Sequence, residues 1–254
     1  MITSSQNPQI VAAAKLHRAR RRSETRSTLL EGPHLVAEAL ASGADVRVIY
    51  TTGADPGAPW REVVEGREVV EVTPQVLNKL AGTEHPRGPI AVLRIPTAPS
   101  PTGRDTVALV GLTDPGNAGT IIRSAGAFDF QVGVATNTVD VWAPKVLRSG
   151  AGGHFRVPVM DLGDDPIARL ERAGCRSAAL TVAEGVRIDT LPPDQPIAFL
   201  VGSEPQGLPA DAVVRCEFSV TLPMPGGAES LNAAVAASIA MYERRRLVPR
   251  PAVR

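Results

Sequence analysis

The sequence predicts an α/β protein in two parts, a small leading α/β domain and a larger domain built on a parallel sheet. Three observations predict it. Apolar runs of strand length alternate with stretches of helical periodicity along most of the chain, the pattern of strands joined by crossover helices. In the second half the alternation is regular enough to imply a parallel sheet covered on both faces. Between the parts lies PTAPSPTGRD, residues 96–105, a proline-rich, polar tract that reads as a semi-rigid linker. The expected domains are therefore 1–95 and 106–254, and a chain of 254 residues gives each room for its own core.

The chain opens on a basic helical lead-in. Ile10, Val11, Ala14 and Leu16 form its apolar side. Lys15, Arg18, Arg20, Arg21, Arg22 and Arg26 crowd the same stretch, with Glu24 as its lone acid. Formal net charge is only +1, so what matters is placement. A one-sign cluster of this kind reads either as a solvated face or as an arm that contacts nucleic-acid phosphates. Gly32 and Pro33 then start a helix that buries Leu35, Val36, Ala39 and Leu40. Strands over 46–50, 68–72 and 90–95, and a helix over 74–80, complete the leading domain.

The second domain begins with a buried strand over 107–112 that breaks into DPGNAG and continues as the helix TIIRSAGAF. A strand follows over 131–135. APKVLRSGAGGHFRVPVM then carries a helical piece, a glycine-rich turn and another strand. A helix over 166–173 and a strand over 177–182 lead to the stretch around which the chain is organised. There a strand over 197–201 opens into Gly202, Ser203, Glu204 and Gly207, and a strand over 218–222 opens into Pro223, Pro225, Gly226 and Gly227. A helix starts at Ser230, whose hydroxyl suits an N-cap, with Leu231, Val235, Ile239 and Tyr242 at helical spacing. Two parallel strands whose C-terminal ends open into glycine loops make a crevice for a small ligand, lined by Glu204, Ser230 and Asn232.

Taken singly, these residues have plain readings. Asp114–Asn117 passes as a turn, Ser230 as a cap, and Glu204 as an acceptor for loop N–H groups. Arg123, among apolar neighbours, is costly unless its guanidinium reaches a partner or a site edge. His154 could touch substrate, although a loop histidine without a catalytic role is the plainer reading.

Composition excludes several classes. With 4% aromatic residues, binding of a nucleic-acid single strand on rows of stacking rings is not expected as the main mode of recognition. Cys175 and Cys216 lie far apart and the four histidines lack ligand spacing, so reduced thiols and no metal are expected. The N-terminus has no apolar signal core and no run approaches membrane-spanning length, which points to the cytoplasm and away from membranes. No GxGxxG follows the first strand of the second domain, which puts a dinucleotide oxidoreductase last.

Three segments, in this order, together resemble the SpoU branch of the SPOUT RNA methyltransferases: DPGNAGTIIRSAGAF (114–128), LVGSEPQGL (200–208) and LPMPGGAESLNAAVAASI (222–239). KVLRSGAGGHFRVPV fits the family between the first two. The lead-in is similar to the family's N-terminal substrate-binding domain, an α/β fold like that of an RNA-binding ribosomal protein. The resemblance implies a parallel sheet with a deep C-terminal trefoil knot, S-adenosylmethionine as cofactor, and a homodimer formed through this domain. The implied reaction is methyl transfer to a ribose 2′-hydroxyl of RNA. The leading domain favours 23S ribosomal RNA, because the simplest transfer-RNA enzymes of the branch resemble only the catalytic part. A transfer-RNA methyltransferase and a catalytically silent RNA-binding assembly factor are the alternatives.

Carried over by position, cofactor contacts fall on Gly202, Leu222 and Leu231, and functional polar residues on Asn117, Arg123, Glu204, Ser230 and Asn232. RNA contacts are expected at Lys15, Arg18, Arg20, Arg21 and Arg22. Because a guanidinium holds its proton firmly, Arg123 is expected to stabilise the developing alkoxide and grip a phosphate. Asn117 would orient Arg123 or the ribose, Ser230 and Asn232 would hold the nucleotide, and Glu204 would anchor the site's hydrogen bonds. Ala233 and Ala234 depart from the larger or hydroxylated residues often found after SLN, with little expected loss.

Overall fold

The computed structural model describes residues 1–53, 59–62, 64, 66–83, 86, 88–182, 185–203 and 207–248. In chain order its elements begin with α1 (Pro8–Ala14), α2 (Ala19–Thr25), β1 (Ser27–Glu31), α3 (Pro33–Ala41) and β2 (Val46–Thr51). Next come α4 (Pro59–Glu62), β3 (Glu68–Glu71), α5 (Pro74–Leu80), β4 (Ile90–Arg94), β5 (Thr106–Leu109), α6 (Pro115–Phe128) and β6 (Gln131–Ala135). They continue with α7 (Pro144–Gly150), β7 (Val159–Gly163), α8 (Pro166–Arg172), β8 (Arg176–Leu180) and β9 (Ile197–Val201). The last are α9 (Ala210–Arg215), β10 (Phe218–Val220) and α10 (Ala233–Leu247). No helix among the described residues is long and apolar enough to cross a membrane.

Two compact units result, Met1–Thr97 with Asp140–Arg156, and Ala98–Val139 with Val157–Arg254. The break at Thr97 falls inside the proline-rich tract. The segment 140–156, which the sequence pattern groups with the second domain, packs into the first.

In the first unit a four-stranded sheet has the order β1-β4-β2-β3, antiparallel except for the β2/β3 pair. Strand β1 shows why this sheet is buried on both faces. Leu30 joins Leu35, Val36, Ala39 and Leu40 of α3, Trp60 of α4 and Leu147 of α7. Its neighbour Leu29 joins Ile10, Ala13 and Leu16 on the other side, with Val76, Leu77 and Leu80 of α5. Alternate side chains of a strand point to opposite faces, so one short apolar run serves two cores.

The second unit is a six-stranded parallel sheet of order β10-β8-β9-β5-β6-β7. From β5 the chain steps outward to β6 and β7, then crosses back to β8, and β9 enters between β8 and β5. Such a reversal of strand order opens a crevice at the C-terminal ends of the strands. Helix α8 packs on one face, with Ile167 and Leu170 against Ala108, Ala179 and Leu200. Helices α6 and α10 pack on each other and over β5 and β9. Cys175 and Cys216 are free, and burial pushes both thiols up, Cys216 to about 11.

Two helix starts differ from expectation. Helix α6 begins at Pro115, not after the DPGN turn. Asp114 caps it by accepting the Asn117 N–H at 2.7 Å, and proline suits the first helical position. Helix α10 begins at Ala233 with Asn232 as its cap, not Ser230. The Asn232 Oδ1 accepts from the N–H groups of Ala234 and Val235 at 3.0 and 3.2 Å, which leaves Ser230 exposed in the loop.

Candidate active site

The crevice holds a cavity of about 410 Å³, within the range of small-ligand pockets. The three expected cofactor contacts, Gly202, Leu222 and Leu231, line it together with Ser230 and Asn232. Thr181 and Val182, just beyond β8, line it too and were not anticipated. Their signal was in the sequence: the apolar run ending at Val182 is followed three residues later by Gly185, the same strand-then-glycine pattern as the two loops that were singled out.

Backbone packing explains Gly202. A Cβ there would lie 2.2 Å from the carbonyl carbon and oxygen of Gly207, far inside contact distance. Gly207 in turn has φ +66 and donates its N–H to the Ser203 carbonyl at 2.8 Å. Ser203 and Gly207 are thus held together, with main chain at the cavity wall. Glu204 lies outside the described residues.

The polar corner of the site joins two helix starts. Asn232 Nδ2 donates to Asn117 Oδ1 at 3.0 Å, so the cap of α10 also holds a residue in the first turn of α6. Farther along, the Ser124 and Ser238 hydroxyls bond at 2.7 Å between the same helices. Arg123 does not join this group. It is exposed on α6, does not line the cavity, and carries no hydrogen bond or ion pair among the described residues. Of the two partners expected for Asn117, Arg123 or the ribose, the structure does not bring Arg123 to it, since six helical residues turn two side chains to different faces, and Asn232 bonds it instead.

A sequence model described as the SpoU rRNA Methylase family matches residues 105–242, more than half of the chain. The chain belongs to this family. A second model, the MRM3-like substrate binding domain, matches residues 7–91. Among SpoU relatives, the chain is 31% identical to the Bacillus subtilis (strain 168) 23S rRNA (guanosine(2553)-2′-O)-methyltransferase RlmP, over 96% of this chain and 98% of that protein. It is 30% identical to the Streptomyces viridochromogenes 23S rRNA (uridine(2479)-2′-O)-methyltransferase, over 94% and 90% of the two. Among solved structures, the AdoMet-bound rRNA methyltransferase from Sinorhizobium meliloti superposes with a TM-score of 0.84 at 29% identity, covering 96% of this chain and 97% of that one.

In this SpoU chain the basic residues of the leading unit divide. Lys15, Arg18, Arg20 and Arg21 are exposed, the last two sharing Glu24 at 2.8 and 3.2 Å. Arg22 corrects the expectation of an RNA contact. It is 4% exposed, and its guanidinium bonds Asp140 at 2.5 Å and the carbonyls of Leu16 and His17 at 2.8 and 2.9 Å. A buried arginine needs such acceptors: four of its five N–H donors are taken, and burial keeps the guanidinium away from a phosphate. His154 is buried as well, and desolvation pushes its pKa down to about 4.

Proposed function

We propose that this chain transfers the methyl group of S-adenosylmethionine to a ribose 2′-hydroxyl of 23S ribosomal RNA. The observation that carries the reading is the cavity at the ends of β8, β9 and β10, where Gly202, Leu222 and Leu231 meet the Asn232–Asn117 pair. Relatives that align along nearly the whole chain carry the names of 23S rRNA 2′-O-methyltransferases. The residues fit the cofactor: main chain bared at Gly202 can hydrogen-bond a purine edge, and apolar walls suit its rings. When bound, S-adenosylmethionine supplies a methyl group on a sulfonium, open to attack by an oxygen.

The chain's own residues do the rest. Leu222 and Leu231 exclude water, which strengthens every polar contact inside. Asn232, fixed by the helix start that it caps, and Ser230 at the cavity wall hold the reacting nucleotide, and Asn117 is kept in orientation by Asn232. Arg123, exposed on α6 and without a side-chain partner among the described residues, is free to grip an RNA phosphate or meet the developing alkoxide once RNA is bound. Glu204 keeps its assigned role as an anchor of hydrogen bonds. Lys15, Arg18, Arg20 and Arg21 bind RNA phosphates.

A homodimer belongs to the same reading. Helix α10 turns Ala234, Ala237, Ala240 and Met241 inward. Its large apolar side chains Val235, Ile239 and Tyr242 stay 45%, 42% and 53% exposed, a stripe suited to a second copy. The implied trefoil knot is supported by the late entry of β9 between β5 and β8. Work on ribosomal RNA puts the protein in the cytoplasm.

Mapping ribose methylation across 23S rRNA and transfer RNA, with and without the protein, tests the reading. One S-adenosylmethionine-dependent 2′-O-methyl in 23S rRNA is expected. A mark in transfer RNA alone would overturn the substrate, and no affinity for S-adenosylmethionine would overturn the enzyme.

A further inference from the structure

The first unit holds another cavity, of about 390 Å³, that methyl transfer does not use. Its wall comes from the turn after α2, the loop between α3 and β2, the end of β4, and residues on either side of α7. Aromatic rings make up only 4% of the chain, yet Trp142 and Phe155 both line this one cavity. Each is only partly buried, packed at the edge of the α3 core.

The Trp142 ring is backed by His154, with centroids 5.4 Å apart and planes at 52°. His154 is fixed in turn. Its Nε2 sits 2.9 Å from the Val141 carbonyl, which can only accept, so that nitrogen carries the proton. Nδ1 is then a lone pair sealed in the interior with no partner among the described residues. A core packed only for stability avoids such a group, and it marks a place where the ring's position matters.

Charge completes the set. Arg26 closes the arginine run of α2 in a left-handed conformation, φ 47, and donates to the Pro96 carbonyl at 3.0 Å. Arg94 is exposed and carries no side-chain hydrogen bond or ion pair among the described residues. Asp45 adds a carboxylate, 2.8 Å from Arg47. Aromatic faces for a base, guanidinium groups for a phosphate and a carboxylate for a hydroxyl or amino group are what an unstacked nucleotide needs. An acidic peptide would engage the arginines and leave the rings idle.

We propose that this cavity binds one unstacked nucleotide of the RNA substrate, its base against Trp142 and its phosphate between Arg26 and Arg94. The inference rests on RNA being the substrate and adds a recognition pocket that shares no lining residue with the methyl-transfer cavity.

Tryptophan emission tests it in the full chain. The two tryptophans are Trp60, fully buried, and Trp142, partly exposed. Adding 23S rRNA transcribed in vitro should quench the emission, and Trp142→Phe should bind nearly as tightly while losing the quench. Trp142→Ala and Arg94→Glu should each weaken rRNA binding roughly tenfold or more, with S-adenosylmethionine affinity unchanged. Arg94 lies at the surface, so its replacement reads out binding even where loss of Trp142 disturbs folding. Wild-type rRNA affinity in both variants, or binding without a quench, would overturn the pocket and leave the methyltransferase reading standing. Failure of the wild-type chain to bind rRNA would overturn both.

Discussion

Asn232 carries two loads with one side chain. Its carbonyl oxygen caps α10 and its amide nitrogen holds Asn117, so the two can be separated chemically. Aspartate keeps the acceptor at a helix start, where negative charge is favourable, but cannot donate to Asn117. Asn232→Asp is therefore expected to melt near the wild-type temperature yet lose about tenfold in single-turnover methyl transfer, the worth of one partly buried hydrogen bond. Wild-type rate in that variant would dismiss the pairing as a catalytic feature. His154 gives a second residue-scale expectation. Burial holds its folded pKa at about 4, below the ordinary imidazole value of 6.5. Between those values the unfolded chain binds the extra proton, so stability falls as pH drops from 6.5 toward 4. From pH 7 to 5 this group removes about 2 kcal/mol. Urea unfolding at both pH values should show that loss in the wild type and a correspondingly smaller one in His154→Gln; equal losses would reject it. Asn232 was legible as a polar site residue but not as the cap, because Ser230 satisfies the same chemistry two positions earlier. Arg22 was illegible for another reason: its partner Asp140 lies 118 positions away, and no local pattern reports that.

At the scale of elements, α10 shows how one helix can be apolar on two faces. Alanines allow close packing on α6, and the stripe of Val235, Ile239 and Tyr242 is left over. A charge placed on that stripe would cost a lone monomer little, within about 0.5 kcal/mol, while burying it in an interface is expensive. If the proposed homodimer forms through this stripe, Ile239→Glu should turn it into a monomer in light scattering without unfolding it. A wild-type monomer would remove α10 from consideration as an interface. The spacing of these residues was visible in the sequence, but which side faced the core was not, since periodicity identifies faces without saying what covers them. The basic end of the same helix misleads in the opposite direction. Arg244 looks like a surface cation, yet it is 2% exposed and donates to the Pro192 and Gln195 carbonyls at 2.9 and 2.6 Å. With Arg245 it also faces the buried Asp105, at 3.6 and 3.4 Å, so the last turn of α10 is tied to the start of the central strand β5. Strand β1 went unseen because its apolar run is short and sits between two stronger helix patterns.

For the molecule as a whole, a net charge of +1 hides a local excess of arginine that should govern RNA affinity. Each phosphate neutralised adds about 0.7 to 0.9 to the slope of log affinity against log salt. Replacing Arg20 and Arg21 together by glutamine should flatten that slope by about 1 to 2, measured by filter binding to 23S rRNA. The same change at Arg22 should instead lower thermal stability, since it strands Asp140. The alternation of strands and helices gave the architecture, and the two later motifs gave the cavity, because each is encoded in neighbouring residues. What escaped was the assignment of residues 140–156, which leave the run of parallel strands to complete the first unit. That excursion has a consequence for how the protein can be divided. The carbonyl that receives the Thr28 hydroxyl, at 2.6 Å, belongs to Trp142, and the carboxylate under Arg22 to Asp140. A fragment severed within the proline-rich tract would leave a buried guanidinium without its counter-ion and one side of its sheet stripped. Grafting the leading unit onto another enzyme of this kind would therefore need two separate stretches of gene, for residues 1–97 and 140–156, and one junction would not suffice.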